Sequence, residues 1–143
     1  MREEVRELIE GRPIFKSRMR PLRVVSLKNG PDTIAVPGRV GAFCAVGNPS
    51  SFFQNLRELG YELGLERAFA DHHVYTPGDV EQLNQLARQS GSSALITTAK
   101  DAVKLKGMAF EVPCYVLEIE IAIDEADAFQ KVILDRIYKT LQD

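Results

Sequence analysis

The sequence predicts an α/β protein, a three-layer α/β/α sandwich around a small, mainly parallel sheet. One observation leads to this fold class, and a second leads to the order of its strands. Apolar segments typical of strands alternate with amphipathic helical segments across residues 39–143, which indicates parallel strands joined by right-handed crossovers. The two most apolar strands, VGAFCAV and SALITT, are expected in the centre, and the two strands with charged residues at the edges. The expected order of the four core strands is therefore 2-1-3-4.

The first 38 residues are expected to form a short helix and a β-ribbon. Residues 1–11 place their apolar side chains on one helical face. Residues 12–38 contain four prolines, which exclude a long helix. Two β-rich runs, Leu22 to Leu27 and Thr33 to Val36, flank Asn29-Gly30 as in a hairpin. We expect residues 12–38 to be a linker outside the core of the 39–143 domain.

Helix start signals follow the first two core strands, VGAFCAV and GLERAF. Asn48 can cap a helix that has Pro49 at its first position, and Thr76 can do the same for Pro77. Asp79, three residues after Thr76, favours a capping box. The residues expected to face the sheet are Phe52, Phe53, Leu56 and Leu59 in the first helix and Val80, Leu83, Leu86 and Ala87 in the second.

The carboxyl half adds two strands, a helical turn and a final helix. After SALITT, the turn AKDAVKL repeats the capping-box spacing at Thr98 and Asp101, and Lys104 is expected on an exposed face. CYVLEIEIAI alternates and is expected to be a half-exposed strand. The final helix, from about Glu125, is expected to bury Phe129, Val132, Ile133, Ile137 and Leu141.

The composition argues against several classes of protein. The formal net charge is −2, so an overall attraction to nucleic acid is not indicated. No run of about 18 apolar residues is present, and no signal peptide is expected. Cys44 and Cys114 lie in apolar runs, which favours buried reduced thiols and a cytosolic setting.

Polar side chains follow three of the core strands. Asn48 comes after the first, Asp71-His72-His73 after the second, and Lys100-Asp101 after the third. Such loops share the carboxyl edge of a parallel sheet, where ligands bind. An imidazole beside a carboxylate suits proton transfer near neutral pH. The alternative is that Asp71 tightens the turn and the histidines are solvated.

Other interpretations of this edge stay open. Asn48-Pro49 can offer helix amides to an anion, although ordinary capping is favoured. Lys100 can meet a phosphate or pair with Asp71. A metal site is less favoured, because adjacent histidines point in different directions and no Cys or Glu lies at ligand spacing nearby. No phosphate loop ending in GK[ST] is present in these residues.

The segment IFKSRMR places three cations, Lys16, Arg18 and Arg20, on one face of a strand. The preferred interpretation is that these charges keep a strand edge soluble. The alternative is that they approach the anionic headgroups of a membrane surface.

Four segments together resemble the tetraacyldisaccharide 4'-kinases of lipid A biosynthesis. They are RPIFKSRMRP, VGAFCAVGNPSSFFQNLRELGYEL, AFADHHVYTPGDVEQLNQLA and LITTAKDAVKL, and their order and spacing match from about residue 12 to 121. The combination of GNP-xx-FF, F-x-DHH-x-Y and TT-x-KDAVK is specific. The resemblance implies a linker plus the smaller carboxyl-terminal α/β/α domain of a two-domain enzyme.

The same resemblance implies an activity. The whole enzyme transfers the γ-phosphate of ATP, with Mg²⁺, to the 4'-hydroxyl of the lipid A disaccharide precursor at the cytoplasmic face of the bacterial inner membrane. Its amino-terminal P-loop kinase domain would hold ATP and Mg²⁺, so the chain alone is expected to bind neither and to be inactive.

The resemblance also implies roles for particular residues. His72 is implied to be catalytic with Asp71 beside it, assisting an aspartate of the kinase domain. The resemblance assigns no chemical role to His73. From their position on the predicted sheet edge, and not from the resemblance, the residues expected on the substrate side are His73, Asn48, Lys100 and Asp101. The alternatives are a stand-alone module that binds an anionic sugar or nucleotide without catalysis, and a purely structural domain.

Overall fold

The computed structural model describes residues 11–28, 30–33 and 36–140. The predicted helix of residues 1–11 therefore lies, except for Gly11, outside the described residues. The elements are β1 (Ser17–Ser26), β2 (Gly30–Thr33), β3 (Arg39–Cys44), α1 (Pro49–Glu58), β4 (Glu62–Ala68), α2 (Pro77–Gln89), β5 (Ala94–Thr98), α3 (Ala99–Ala102), a 3₁₀ turn (Val103–Leu105), β6 (Cys114–Ile123) and α4 (Ala126–Thr140).

The strands form one sheet in the order β2-β1-β6-β5-β3-β4. β3 pairs in parallel with β4 and β5, β5 pairs in parallel with β6, and β1 and β2 are antiparallel. The α/β fold class is confirmed, and the order of the four core strands, counted from β4, is the expected 2-1-3-4. The expected edge position is wrong for β6, because β1 lies beside it.

β1 and β2 form the predicted antiparallel hairpin, although β2 is Gly30–Thr33 rather than the predicted Thr33 to Val36, and β1 also belongs to the core. Val24 and Val25 are buried, and Val24 packs in the same cluster as Ala42 and Phe52. The expectation that residues 12–38 lie outside the core is therefore corrected. The reason is that β1 adds to the sheet beside β6, where Val24 and Val25 are covered, although Met19 and Leu22 of the same strand are exposed. The domain boundaries stay a prediction.

The side chains of β3 alternate between two apolar clusters. Ala42 belongs to the cluster that contains the α1 residues Phe52, Phe53 and Leu56. Phe43 belongs to the cluster that contains the α2 residues Leu83 and Ala87. Successive residues of a strand point to opposite faces, so α1 and α2 cover opposite faces of the sheet. Leu59, expected to be buried, is exposed because α1 ends at Glu58.

The chain divides into two compact units, residues 21–120 and residues 1–20 with 121–143. All six candidate site residues lie in the first of these. In the other unit, Arg18 pairs with Asp124 at 3.0 Å, and the ring of Phe15 meets that of Phe129 edge-on with 5.2 Å between centroids.

The final helix does not bury the apolar face that its sequence predicts. Phe129 of α4 is half-buried, whereas Val132, Ile133 and Ile137 are 41%, 42% and 49% exposed; Leu141 lies outside the described residues. A helical period shows which side chains share a face, but it does not show whether another element covers that face. Across the described ranges, none of the helices is long and apolar enough to cross a bilayer.

Candidate functional site

The loops after β3, β4 and β5 meet at the carboxylate of Asp71. Lys100, at the start of α3, places its Nζ 3.4 Å from Oδ1 of Asp71. A Cβ atom added to Gly47, in the loop after β3, would lie 3.5 Å from Oδ2. Three loops that are distant in sequence thus share one edge of the sheet, with Asp71 where they meet.

His72 occupies the left-handed position of a tight turn. Its φ is 62°, and the amide of His73 donates to the carbonyl of Ala70 at 3.0 Å, which closes the turn. Oδ1 of Asp71 accepts a further hydrogen bond from the amide of His72 at 3.0 Å. A left-handed backbone costs a residue with a side chain about 1–2 kcal/mol. Glycine or asparagine would be favoured at this position, so histidine carries a conformational cost here relative to glycine.

The imidazole of His72 is open to solvent and lies close to a carboxylate. Its Nε2 is 3.6 Å from Oδ2 of Asp71, and the side chain is 76% exposed. Partial desolvation raises the pKa of Asp71, but the charges of His72 and Lys100 outweigh it and hold that pKa below its usual 3.8. Asp71 is therefore ionised at neutral pH, and its charge can orient the imidazole.

His73 is held inside the fold, unlike its neighbour. Its Nε2 lies 3.1 Å from Oδ2 of Asp79, and its side chain is 29% exposed. The ring stacks on Phe69 with 4.7 Å between centroids and meets the ring of Tyr75 edge-on at 5.2 Å. This packing favours an anchoring role for His73 over the substrate contact expected from the sequence.

Asp79 joins this anchor to the start of α2. The amide and the hydroxyl of Thr76 both donate to Oδ2 of Asp79 at 2.8 Å. The amide of Asp79 donates back to Oγ1 of Thr76 at 3.2 Å, so the predicted capping box is present. The hydrogen bonds from Thr76, followed by that from His73, hold the pKa of Asp79 below its usual 3.8.

Asn48 serves as the cap of α1. Its Oδ1 accepts a hydrogen bond from the amide of Ser51 at 3.3 Å, which is the capping role favoured from the sequence. The side-chain oxygen is therefore engaged within the helix. The geometry supports capping rather than the expected substrate contact.

Asp101 is fully buried, with 0% of its surface exposed. Its Oδ2 accepts hydrogen bonds from the amide of Ala45 at 2.9 Å and from the hydroxyl of Thr98 at 2.8 Å. Its Oδ1 accepts from Nζ of Lys104 at 3.3 Å. A carboxylate in this position joins the end of β3 to the start of α3. The substrate contact expected for Asp101 does not fit this burial.

Lys104 was expected on an exposed face, and that expectation is wrong. Its side chain is 26% exposed, and Nζ also donates to the carbonyl of His73 at 3.2 Å. The spacing of three residues between Asp101 and Lys104 is the sequence signal that could have identified this contact.

Tyr75, for which the sequence predicts no role, is buried beside Lys104. Burial, and then the charge of Asp101, raise the pKa of Tyr75 above its ordinary value.

The described residues do not form a metal site of their own. Within residues 11–28, 30–33 and 36–140, no three His, Cys, Asp or Glu side chains are grouped so that they could hold a metal ion. Burial raises the pKa of Cys44 to about 11 and that of Cys114 to about 12, so both are protonated thiols at neutral pH. The described residues on this edge therefore do not fit a Mg²⁺ centre.

Comparison with known sequences identifies relatives along most of the chain. The family model for tetraacyldisaccharide-1-P 4'-kinase matches residues 1–138. The tetraacyldisaccharide 4'-kinase of Methylorubrum populi is 40% identical over 116 residues, and that of Chelativorans sp. is 35% identical over 128. The alignments cover 81% and 86% of this chain but 32% and 35% of the relatives. The chain thus spans about a third of the length of the curated relatives it matches.

A solved structure shares the fold. It is the "apo" form of LpxK from Aquifex aeolicus in complex with ATP, with a TM-score of 0.54 and 23% identity. The match covers 87% of this chain and 36% of that one, and at this identity it shows the fold alone. The family match is the stronger finding, because it extends over nearly all of the sequence. The chain belongs to the tetraacyldisaccharide-1-P 4'-kinase family.

Proposed function

We propose that this chain is the carboxyl-terminal part of a tetraacyldisaccharide 4'-kinase and supplies the imidazole-bearing wall of its active site. The curated relatives carry that name and are about three times as long as the matched segment. In this proposal, an amino-terminal P-loop domain outside these residues holds ATP and Mg²⁺. The reaction transfers the γ-phosphate of ATP to the 4'-hydroxyl of the lipid A disaccharide precursor.

The observation that carries the proposal is the imidazole of His72, which is exposed beside the Asp71 carboxylate on a turn with φ of 62°, a conformation uncommon for residues other than glycine. Residues held in such conformations cluster at active sites, where the surrounding structure maintains them. The side chain of His72 is largely exposed, so burial of the ring does not offset the conformational cost. The turn instead presents the imidazole at the sheet edge where α/β proteins bind ligands.

In the proposed mechanism, the imidazole of His72 assists deprotonation of the attacking hydroxyl. Nε2 of His72 faces Oδ2 of Asp71 at 3.6 Å, which leaves Nδ1 free to accept a proton. The O–H bond of the sugar breaks as the new O–P bond forms, and the bond between the γ-phosphorus and the bridging oxygen of ATP breaks, so that ADP leaves with the bridging oxygen. The proton of the hydroxyl passes to the ring, directly or through a carboxylate of the kinase domain. Asp71 stabilises the imidazolium that results.

Lys100 contributes charge to the same edge. Phosphoryl transfer depends on positioning and on neutralising the charge of the transferred group. The Nζ of Lys100 is 3.4 Å from Asp71 and its side chain is half-exposed, so the ammonium is accessible to an anionic substrate.

We propose that the whole enzyme is a peripheral protein at the cytoplasmic face of the inner membrane, where ATP and a lipid precursor meet. Contact of Lys16, Arg18 and Arg20 with anionic headgroups is part of this proposal.

The proposal is tested by assaying two polypeptides side by side. The full-length protein that contains this chain and the 143-residue chain alone are each incubated with ATP, Mg²⁺ and tetraacyldisaccharide 1-phosphate. Mass spectrometry should find a product with one additional phosphate, at the 4' position, only with the full-length protein. Transfer by the short chain alone, or none by the full-length protein, would contradict the proposal.

The stand-alone binding module makes a different prediction in the same experiment. Neither polypeptide would transfer phosphate, and titration of the short chain with a sugar phosphate would shift the ring resonances of His72 with saturation. This pattern would favour binding without catalysis over the kinase.

A further inference from the structure

The left-handed turn at His72 needs support from its neighbours, and Lys104 connects it to the core. Nζ of Lys104 donates to the carbonyl of His73 at 3.2 Å and to Oδ1 of Asp101 at 3.3 Å. The same atom lies 5.9 Å from the centroid of the Tyr75 ring. This partly buried ammonium therefore contacts a backbone carbonyl, a carboxylate and an aromatic face.

Asp101 is a fixed anchor for that ammonium. Its other oxygen, Oδ2, accepts hydrogen bonds from Ala45 at the end of β3 and from Thr98 at the start of α3. Because these contacts do not involve Lys104, they hold the carboxylate in place independently of the lysine. Through Asp101, Lys104 connects the sheet edge to the backbone carbonyl of His73.

The opposite side of the turn has an anchor of its own. The ring of His73 is held by Asp79 and stacked on Phe69. The carbonyl and the side chain of residue 73 are thus both fixed, directly after the residue with φ of 62°. With the His73 amide closing the turn onto Ala70, the backbone of His72 has little freedom to relax to a right-handed conformation.

We propose that Lys104 is a positioning residue for His72, because its ammonium bridges the Asp101 carboxylate and the His73 carbonyl and so fixes the Asp71–His72 turn. The catalytic consequence of this inference rests on the proposed function, whereas the structural consequence does not. Lys104 acts through the backbone of residue 73.

The structural consequence is tested by NMR on the 143-residue chain. Lys104→Met removes the ammonium and keeps a long apolar side chain, and Lys106→Met, at an exposed lysine two residues later, is the matched control. The amide resonances of Asp71 and His72 and the ring resonances of His72 should shift in Lys104→Met but not in Lys106→Met. Lys104→Arg, which retains a cationic donor, should restore them.

The fold is checked by the resonances of α1 and by thermal unfolding. Should Lys104→Met not fold, Lys104→Gln, which removes the charge but remains polar, is measured in its place. Unchanged His72 resonances in a folded variant that lacks the ammonium would overturn the inference.

The catalytic consequence is measured in the full-length protein. A small displacement of a catalytic group can cost about 10²-fold in rate, so kcat should fall about tenfold to hundredfold in Lys104→Met. KM for ATP should stay unchanged, and Lys104→Arg should recover most of kcat. If His72→Ala lowers kcat while Lys104→Met changes neither kcat nor the His72 resonances, the positioning role is wrong and the proposed function stands. If Lys104→Met shifts those resonances while His72→Ala leaves kcat unchanged, the proposed function fails and the positioning role stands.

Discussion

The backbone amide of Ala45 donates a hydrogen bond of 2.9 Å to the carboxylate of Asp101, 56 residues later in the chain. The contact joins the end of one central strand to the helical turn that follows the other. The Asp101 side chain also accepts hydrogen bonds from the hydroxyl of Thr98 and the ammonium of Lys104. This buried carboxylate therefore organises the edge on which His72 is exposed. The local geometry of the candidate site therefore depends on a residue that no ligand can reach.

Asp101→Asn is expected to destabilise the fold. The amide nitrogen of asparagine would face the ammonium of Lys104, so one charge-assisted hydrogen bond is lost and two donors oppose each other. The free energy of unfolding should fall by about 2 kcal/mol, measured by urea denaturation. Glu81→Gln, at an exposed position of α2, is the control and should stay within about 0.5 kcal/mol. An equally small effect for Asp101→Asn would show that the buried carboxylate is not an anchor.

His72→Gly is expected to be more stable than His72→Ala, because residue 72 has a left-handed backbone conformation. Glycine adopts a φ of 62° without a Cβ penalty, so His72→Gly should be more stable than His72→Ala by about 1 kcal/mol. Thermal unfolding of the two variants measures the difference. Glu125, with φ of 58°, offers the matched pair Glu125→Gly and Glu125→Ala, which should show the same order. An alanine variant at residue 72 as stable as the glycine variant would argue against a left-handed turn.

The stability supplied by the Asp79 carboxylate should depend on pH. Its pKa in the folded protein lies below the usual 3.8, so the stabilisation is fully present above that value and is lost as the pH falls through the folded pKa. The free energy of unfolding of the wild type should therefore exceed that of Asp79→Ala by about 1 kcal/mol at pH 6, as for other capping hydrogen bonds. This difference in free energy should narrow below pH 3.8. Urea denaturation at several pH values measures it. A gap that widens on acidification would contradict the assigned hydrogen bonds.

The ionisation of Asp71 should respond to both of its cationic neighbours. His72 and Lys100 lower the pKa of Asp71 against partial desolvation. His72→Ala and Lys100→Ala should therefore each raise that pKa, and the double variant should raise it furthest. Titration of the side-chain carboxyl ¹³C resonance gives the values, with Lys106→Ala as the control. A pKa unchanged in both single variants would show that the three side chains do not share one edge.

The sequence predicts the sheet and the shared edge well, because these depend on local signals. Alternating apolar segments place the strands, and the capping residues Asn48 and Thr76 mark where two helices begin. The convergence of the loops then follows from the parallel arrangement of the strands. The pairing of Lys100 with Asp71 is one of the two alternatives that the sequence leaves open, and the structure shows it.

What the sequence does not show are contacts made at a distance. The alternation of IFKSRMR does not reveal that the strand continues into a buried segment at Val24, beside β6. A capping-box spacing does not reveal that Asp101 turns inward to meet Ala45. Nor do two adjacent histidines show which is anchored and which is exposed, since that depends on the aromatic rings around His73.

The central claim is that His72 takes part in the transfer reaction, and kcat of the full-length protein carrying His72→Gln tests it most directly. Glutamine keeps a polar side chain but cannot accept a proton near neutral pH, so kcat should fall about 10²–10⁴-fold while the thermal unfolding temperature changes little. A kcat equal to that of the wild-type enzyme, in a folded variant, would contradict the claim.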